Sequence, residues 1–435
     1  MKPLLNIVLV VPNIDLTGGI EHFGCELANG LTMRGHSITI FTTRPINRQK
    51  RSVIPLHNSV NLFYFDYSTP EVTKEQLLKV NPAVCAILYS NKMALHWVKV
   101  LHETAIPLLY SEHSNPKVIA KERWNSLERN TLLACSDTIH LFLEEYAASI
   151  PVEEQNKIWQ IPNFCRYPIS KINRTHRAEK IVLSLGRLDR SSKQLHLLIE
   201  AFALIQKEHP QWKLQIWGDG EDYNRLNKLI QEKRISSVIQ LMGKTDDAAV
   251  QYRDTDLFCI PLRYEGFPLT LIEAYTHGLP AVGFAECSGV NSIIQNGLNG
   301  FLAPEMTAES LAQALSQLMG DEELLQKMSD AALDRAADFD RKTILPKWEE
   351  MLYDCTSHKG NTALQRAMAE LSDPESRTAQ LHLLWRLNAT FEERMEYFRY
   401  PLVQYVHYKR DKWFIRCPWK LILWLWGIKN RATKR

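Results

Sequence analysis

The chain has 435 residues, of which 45% are hydrophobic and 23% charged, and its formal net charge is +3. That length exceeds one ordinary core and suits two α/β domains plus a further segment, while the composition excludes a disordered or low-complexity protein. So small a net charge singles out no partner by itself.

At the amino end, Lys2 precedes a short apolar run over residues 7–11 that stops at Pro12 with no small-residue cleavage site after it. This predicts a buried strand rather than a secretion signal. A turn follows at Thr17-Gly18-Gly19, then a helical pattern over residues 21–34 with Phe23, Leu27 and Leu31 on one face. Gly35 stops that helix and residues 37–41 form the next strand, giving a β-α-β unit with a glycine turn at the carboxyl end of strand one. Further strands are expected at 83–89, 107–110 and 134–136. The polar, basic stretch 170–180 reads as a domain linker. A second series then begins: a strand at 181–185 closed by Gly186, a helix at 195–207, and a strand at 214–217 ending in Gly218-Asp219-Gly220. Strands at 238–242, 257–261 and 281–284 continue the alternation, so two doubly wound parallel sheets stand in tandem.

Beyond Tyr353 the pattern changes. Residues 362–398 look helical and amphipathic. From His407 onward Lys409, Arg410, Lys412, Arg416, Lys420, Lys429, Arg431, Lys434 and Arg435 face a single acid, Asp411, and Trp413, Trp419, Trp424 and Trp426 interleave them. No stretch reaches the roughly 18 to 20 apolar residues a membrane span requires. Tryptophan and basic residues together favour attachment to an anionic lipid surface; the alternative is an apolar helix packed on the protein or a partner. Nucleic acid is not expected, because no stacking platform or known motif accompanies the basic residues. The eight cysteines show no metal-ligand or redox spacing and read as buried small hydrophobes in a reducing compartment.

Three constellations could carry chemistry. Gly18 and Gly19 let the backbone approach a phosphate at a helix start, although a plain tight turn explains them equally well. Arg187 and Lys193 follow a strand end and suit a diphosphate, the alternative being a solvated basic loop. Glu265 lies in the loop after the strand at 257–261, and Gly266, Phe267, Pro268 and Leu269 lead from it into a helix carrying Glu273. Backbone N–H groups there can hold phosphate oxygens while carboxylates accept from sugar or ribose hydroxyls. Asp254-Thr255-Asp256 has the form of a metal-binding acid pair, but it precedes its strand and so sits at the opposite end of the sheet.

The run Gly186-Arg187-Leu188, Lys193, Leu197 to Phe202, Ile216-Trp217-Gly218-Asp219-Gly220, Glu265-Gly266-Phe267-Pro268, Glu273-Ala274 and Asn299-Gly300 resembles the second domain of family 4 retaining glycosyltransferases. Gly18-Gly19-Ile20-Glu21, Ser111-Glu112-His113, Cys135-Ser136 and Ile161-Pro162-Asn163 resemble its first domain, and the likeness covers about residues 4–353. The resemblance implies a GT-B type α/β fold, two Rossmann-like domains facing across a cleft: an acceptor domain at 1–170, a nucleotide-sugar donor domain at 171–353, and a helical, basic-aromatic extension at 354–435. It implies Arg187 and Lys193 on the diphosphate, Glu273 on the ribose, Glu265 on the donor sugar, Gly18 and Gly19 near the phosphate, and His113 near the anomeric centre. Transfer would retain configuration, with UDP the preferred nucleotide, no cofactor and no metal. The acceptor would be a lipid-linked oligosaccharide or a lipopolysaccharide or capsule glycan, and the location the inner face of the cytoplasmic membrane. A catalytically silent nucleotide-binding or scaffold relative is the alternative. The chain departs from the family at Gln194, where glycine is usual, in the Arg187–Lys193 gap, which is one residue longer, and at Cys287 to Asn291, where a glutamate is commoner.

Overall fold

The computed structural model of the protein describes residues 2–16, 18–43, 54–116, 118, 126–172, 179–245 and 247–370. The first sheet holds β1 (Asn6–Val10), β2 (Ser37–Thr43), β3 (Asn61–Phe65), β4 (Val84–Ile87), β5 (Leu108–Ser111), β6 (Thr138–Leu141) and β7 (Ile158–Gln160), in the order β3-β2-β1-β4-β5-β6-β7. The second holds β8 (Lys180–Leu185), β9 (Trp212–Trp217), β10 (Ile239–Gly243), β11 (Leu257–Ile260), β12 (Ala281–Phe284) and β13 (Gly300–Ala303), in the order β10-β9-β8-β11-β12-β13. Every pairing between named strands is parallel.

The sequence explains this directly. β4, β5, β6, β11 and β12 are buried at every position. Apolar runs buried on both faces are what a parallel sheet covered by helices requires. The helix Gly19–Met33 buries Phe23, Leu27 and Leu31 against the first sheet, on the face its periodicity marked. In each sheet the strand order reverses beside the first strand, at β1/β4 and at β8/β11. Connections leave a crevice at such a point, at the carboxyl ends of the strands.

Three sequence expectations need correction. Residues 134–136 are not a strand. They close the helix Ser126–Cys135, whose end is tied by the Ser136 Oγ donating to Leu132 O at 2.7 Å, and the strand begins at Thr138. The segments that form β3, β7 and β13 were not among the expected strands. The last helix assigned to the donor domain, Arg341–Thr356, packs on the first domain. Its Ile344, Leu345, Trp348, Met351 and Leu352 join Ile7, Leu9, Phe23, Leu27 and Leu31 in one core. Gly30 admits it closely, since a Cβ there would lie 2.6 Å from Leu345 Cδ1. Glu349 accepts from Arg34 at 2.6 Å and pairs with His36 at 2.9 Å.

The extension begins with the helix Ala363–Glu370, whose Leu364 also enters the first domain's core. The rest of the expected helix and the basic, tryptophan-rich tail lie outside the described residues. Among the described residues no helix is long and apolar enough to cross a membrane, and the seven described cysteines are buried.

Trp348→Ala should destabilise the protein by about 3–5 kcal/mol, the usual cost of emptying a fully buried aromatic site, read as a lower denaturant midpoint. The buried His140 and His96 supply a second expectation. Burial pushes both imidazoles down to about 4, because the charged ring loses hydration. A ring held neutral in the fold adds stability above its unfolded pKa of about 6.5, and that stability drains away as pH falls toward its folded value. The melting temperature should therefore fall from about pH 7 to about pH 5, and His96→Phe, in an aromatic cluster with Phe65, Tyr67 and Trp97, should make that fall shallower.

Candidate active site

The carboxyl ends of β8, β9 and β11 converge at the second sheet's switch point around a small, partly open cavity, lined among others by Gly186, Arg187, Lys193, Trp217, Pro261 and Thr270. The turns that form it are tight. Gly186 N donates to Trp217 O at 3.0 Å, and a Cβ on Gly218, whose φ is +141°, would overlap the Gly186 carbonyl. Only glycine fits there.

The loop from Gly186 to Gln194 folds on Asp189, whose carboxylate accepts from Ser191 N and Ser191 Oγ at 2.7 Å and from Ser192 Oγ at 3.1 Å. Lys193 N donates to Asp189 O at 3.1 Å. This closed turn takes up the longer Arg187–Lys193 spacing and leaves Lys193 at the cavity. Gln194 then adopts φ +45°, ψ 29° as it opens the helix Leu195–Ile205, without a side-chain cap. The acid-bearing loop is joined to the basic one. Arg263 N donates to Ser192 O at 2.8 Å, and Lys193 Nζ meets Glu265 Oε2 at 2.9 Å with both side chains partly exposed.

The first domain faces the same loop. Gly266 lies so near His113 that a Cβ would stand 2.7 Å from His113 O. Phe267 is buried against Phe142 and Phe339, with ring centroids 5.7 and 5.5 Å away. Pro268 caps the helix Leu269–Thr276, and Leu269 Cδ1 would be 3.8 Å from a Cβ on Gly19. Gly18 precedes the helix Gly19–Met33 and lies under the carboxylate of Glu21, which would have to shift to admit a Cβ. Burial raises the Glu21 carboxyl above its usual range, opposed by its own backbone hydrogen bond and by Arg187 across the cleft.

His113 is nearly enclosed. Its N–H donates to Ser90 Oγ at 2.8 Å, its ring packs on Phe23 and Phe142 at 5.1 and 5.0 Å, and its Nε2 has no hydrogen-bond partner. Burial, with His140 nearby, holds this imidazole far below its ordinary range, so it is neutral. Glu273 is placed differently from Glu265. It is only 7% exposed, and its carboxylate accepts from Tyr252 OH at 2.9 Å and pairs with Arg166 Nε at 3.3 Å. Burial pushes this carboxyl up, against the pull of Arg166. Asp256 accepts from Ile181 N at 2.8 Å where β11 starts, at the end of the sheet opposite Glu265. Among the described residues no cluster of histidine, cysteine and acidic side chains could hold a metal ion.

Residues 168–335, which supply the second sheet and its cavity, match the family model for glycosyl transferases group 1. This segment is similar to that family. An exopolysaccharide phosphotransferase of Streptomyces coelicolor is 36% identical over 182 residues, which are 42% of this chain and only 19% of that protein's length. A glycosyltransferase of Haemophilus influenzae, otherwise uncharacterized, is 26% identical over 356 residues, 79% of this chain and 98% of its own. The crystal structure of HepE from Anabaena in complex with UDP and glucose superposes with a TM-score of 0.65 at 16% identity, covering 80% of this chain and 99% of that one. The likeness shows the fold, two Rossmann-like domains of GT-B type.

Within the second domain and its partner, sequence reasoning overlooked Arg166, Tyr252, Tyr146 and Arg129. Each acts on a residue far along the chain, and none lies in a recognisable spacing. Gln194 is the exception, because its departure from glycine was visible and the structure puts it at positive φ. A non-glycine residue there carries about 1–2 kcal/mol of steric cost. Gln194→Gly should therefore stabilise the protein by about 1 kcal/mol net of glycine's extra unfolded-state entropy, measured as a raised denaturant midpoint.

Proposed function

We propose that the protein is a retaining, metal-independent glycosyltransferase of family 4 type. It takes a sugar from a nucleoside diphosphate, UDP by preference, and gives it to a growing glycan on a lipid-linked or lipopolysaccharide or capsule acceptor. The observation that carries this reading is the Lys193–Glu265 pair beside the switch-point cavity, on a loop that His113 and Gly19 of the first domain approach at Gly266 and Leu269.

The chemistry follows from charge. Arg187, Lys193 and the N–H groups opening the helix Leu195–Ile205 surround the place where a diphosphate would sit, and they oppose the negative charge that grows as it departs. Cations and helix dipoles can do this without a metal. Lys193 now neutralises Glu265. A diphosphate would draw the ammonium to itself and free the carboxylate to accept from hydroxyls of the donor sugar. His113 stays neutral, and its unpartnered Nε2, buried in this state, would meet the sugar near its anomeric carbon only once the side chains around it open. Departure of the diphosphate toward the cations, with the acceptor entering on the same face, retains configuration. Glu273 would serve the ribose after turning from Arg166. The UDP and glucose bound to HepE support the choice of donor. Attachment to a membrane surface rests on the basic, tryptophan-rich tail alone.

The engagement of Glu273 by Arg166 and Tyr252 favours a second reading, a nucleotide-binding relative without turnover. Hydrolysis of UDP-glucose or UDP-N-acetylglucosamine by the purified protein would exclude it.

The deciding measurement is melting in the presence of UDP, GDP or ADP. A nucleotide at 100 times its dissociation constant should stabilise the fold by about 2.7 kcal/mol. Lys193→Ala and Arg187→Ala should each weaken UDP binding by about tenfold or more, about 1.4 kcal/mol, and leave melting without nucleotide unchanged. No shift with any nucleotide would overturn the proposal.

A further inference from the structure

We propose that Tyr146 is a positioning residue that clasps the Glu265 loop to the first domain, and that the buried Glu112–Arg129 ion pair is what holds Tyr146 in place. The proposal rests on the donor-site reading for its consequence and on its own geometry for its existence.

Tyr146 lies in the 3₁₀ helix Glu144–Ser149, just after β6, and is 1% exposed. Its hydroxyl donates to Glu265 O at 3.0 Å and to Gly266 O at 3.1 Å. Asn163, also of the first domain, donates from Nδ2 to Phe267 O at 3.1 Å. Three successive carbonyls of the acid-bearing loop are thus bonded by side chains of the facing domain. A buried phenol hydroxyl without a partner is costly, so these bonds and the packing of the ring form or fail together.

The anchor lies behind Tyr146. Ser149 Oγ donates to Tyr146 O at 2.6 Å, and Arg129 donates to Ser149 O at 2.8 Å and to Ser149 Oγ at 3.0 Å. The same guanidinium meets Glu112 through Nε at 2.8 Å and Nη2 at 2.6 Å, with Glu112 1% and Arg129 4% exposed. Such a pair adds little net stability, because both charges surrender hydration, yet removing one partner is heavily penalised. Its fork geometry admits one arrangement. That arrangement sets the strand end bearing His113 on one side and the turn bearing Tyr146 on the other.

The clasp divides the donor site. Arg187, Lys193 and the β8 and β9 turns belong wholly to the second domain, so they can hold a nucleoside diphosphate whether or not the clasp is made. The Glu265 and Gly266 carbonyls pack on Gly289 within the second domain, but the side-chain hydrogen bonds they accept from Tyr146 exist only when the first domain is in place. The carboxylate that faces the donor sugar is therefore aligned by domain closure, and phosphate binding is not.

Tyr146→Phe keeps the ring and deletes the hydroxyl. Calorimetry with UDP, melting, and hydrogen exchange should be run on this variant and the wild type, both as full chains. The expected result is melting close to wild type and UDP affinity within about twofold. The amides of Gly266, Phe267 and Leu269 should exchange about tenfold faster, while those of β8 and β11 keep their rates. Unchanged exchange in the loop would overturn the clasp. Faster exchange throughout both sheets, or UDP binding weakened in proportion to lost stability, would make Tyr146 an ordinary core residue and overturn it too. If neither protein binds UDP, the donor reading falls while the loop's exchange still decides the clasp. Should Tyr146→Phe not fold, Asn163→Ala is held to the same outcomes.

Discussion

All strands in each sheet run the same way, so every connection must cross a face of the sheet and re-enter at the end where it began. This gathers half of all loops at one edge, the carboxyl ends. Right-handed crossovers then send the chain to one side of the first strand and later to the other, and the loops part where the order reverses. In the second sheet that place is β8/β11, and the loops parting there carry Arg187, Lys193 and Glu265. In the first sheet it is β1/β4, and the glycine turn of Gly18 and Gly19 stands beside it. The cleft is a consequence of connectivity before it is a consequence of side chains.

Side chains then decide how the two edges meet. The first domain approaches the acid-bearing loop with backbone and neutral hydrogen-bonding groups, namely His113 O, Tyr146 OH and Asn163 Nδ2. The second supplies the cations. This separation suits a reaction in which negative charge leaves toward one domain while a neutral sugar is held between both. Burial sharpens it. His113 is kept neutral by loss of hydration, whereas Lys193 and Glu265 keep their exposure and remain able to exchange partners.

Glu273 stands in a more enclosed setting than Glu265. The helix Leu269–Thr276 carries it one turn in. The linker after β7 brings Arg166 alongside, and Tyr252 rises from the helix Ala248–Arg253 to meet the same carboxylate. The acid is therefore inside a local network. Arg341, which joins Glu26 and packs on Phe164, shows the same crossing between domains near the linker.

Much of this was legible in the sequence, and the reason is local. Short apolar runs marked β1 and β11, because a strand buried on both faces must be apolar along its length, and apolar alternation marked β9. Glycines marked the turns, because only glycine permits the backbone of residue 218 to press on residue 186. The chemical types at Arg187, Lys193 and Glu265, and their position after strands, needed no coordinates. What only the tertiary structure decided were pairings between residues far apart: the allegiance of the helix Arg341–Thr356 to the first domain, the capture of Glu273 by Arg166, and the grip of Tyr146 on the Glu265 loop. A period or a turn is written in neighbouring residues. The choice of partner depends on which faces meet once separate apolar surfaces are buried together, and no spacing along the chain records it.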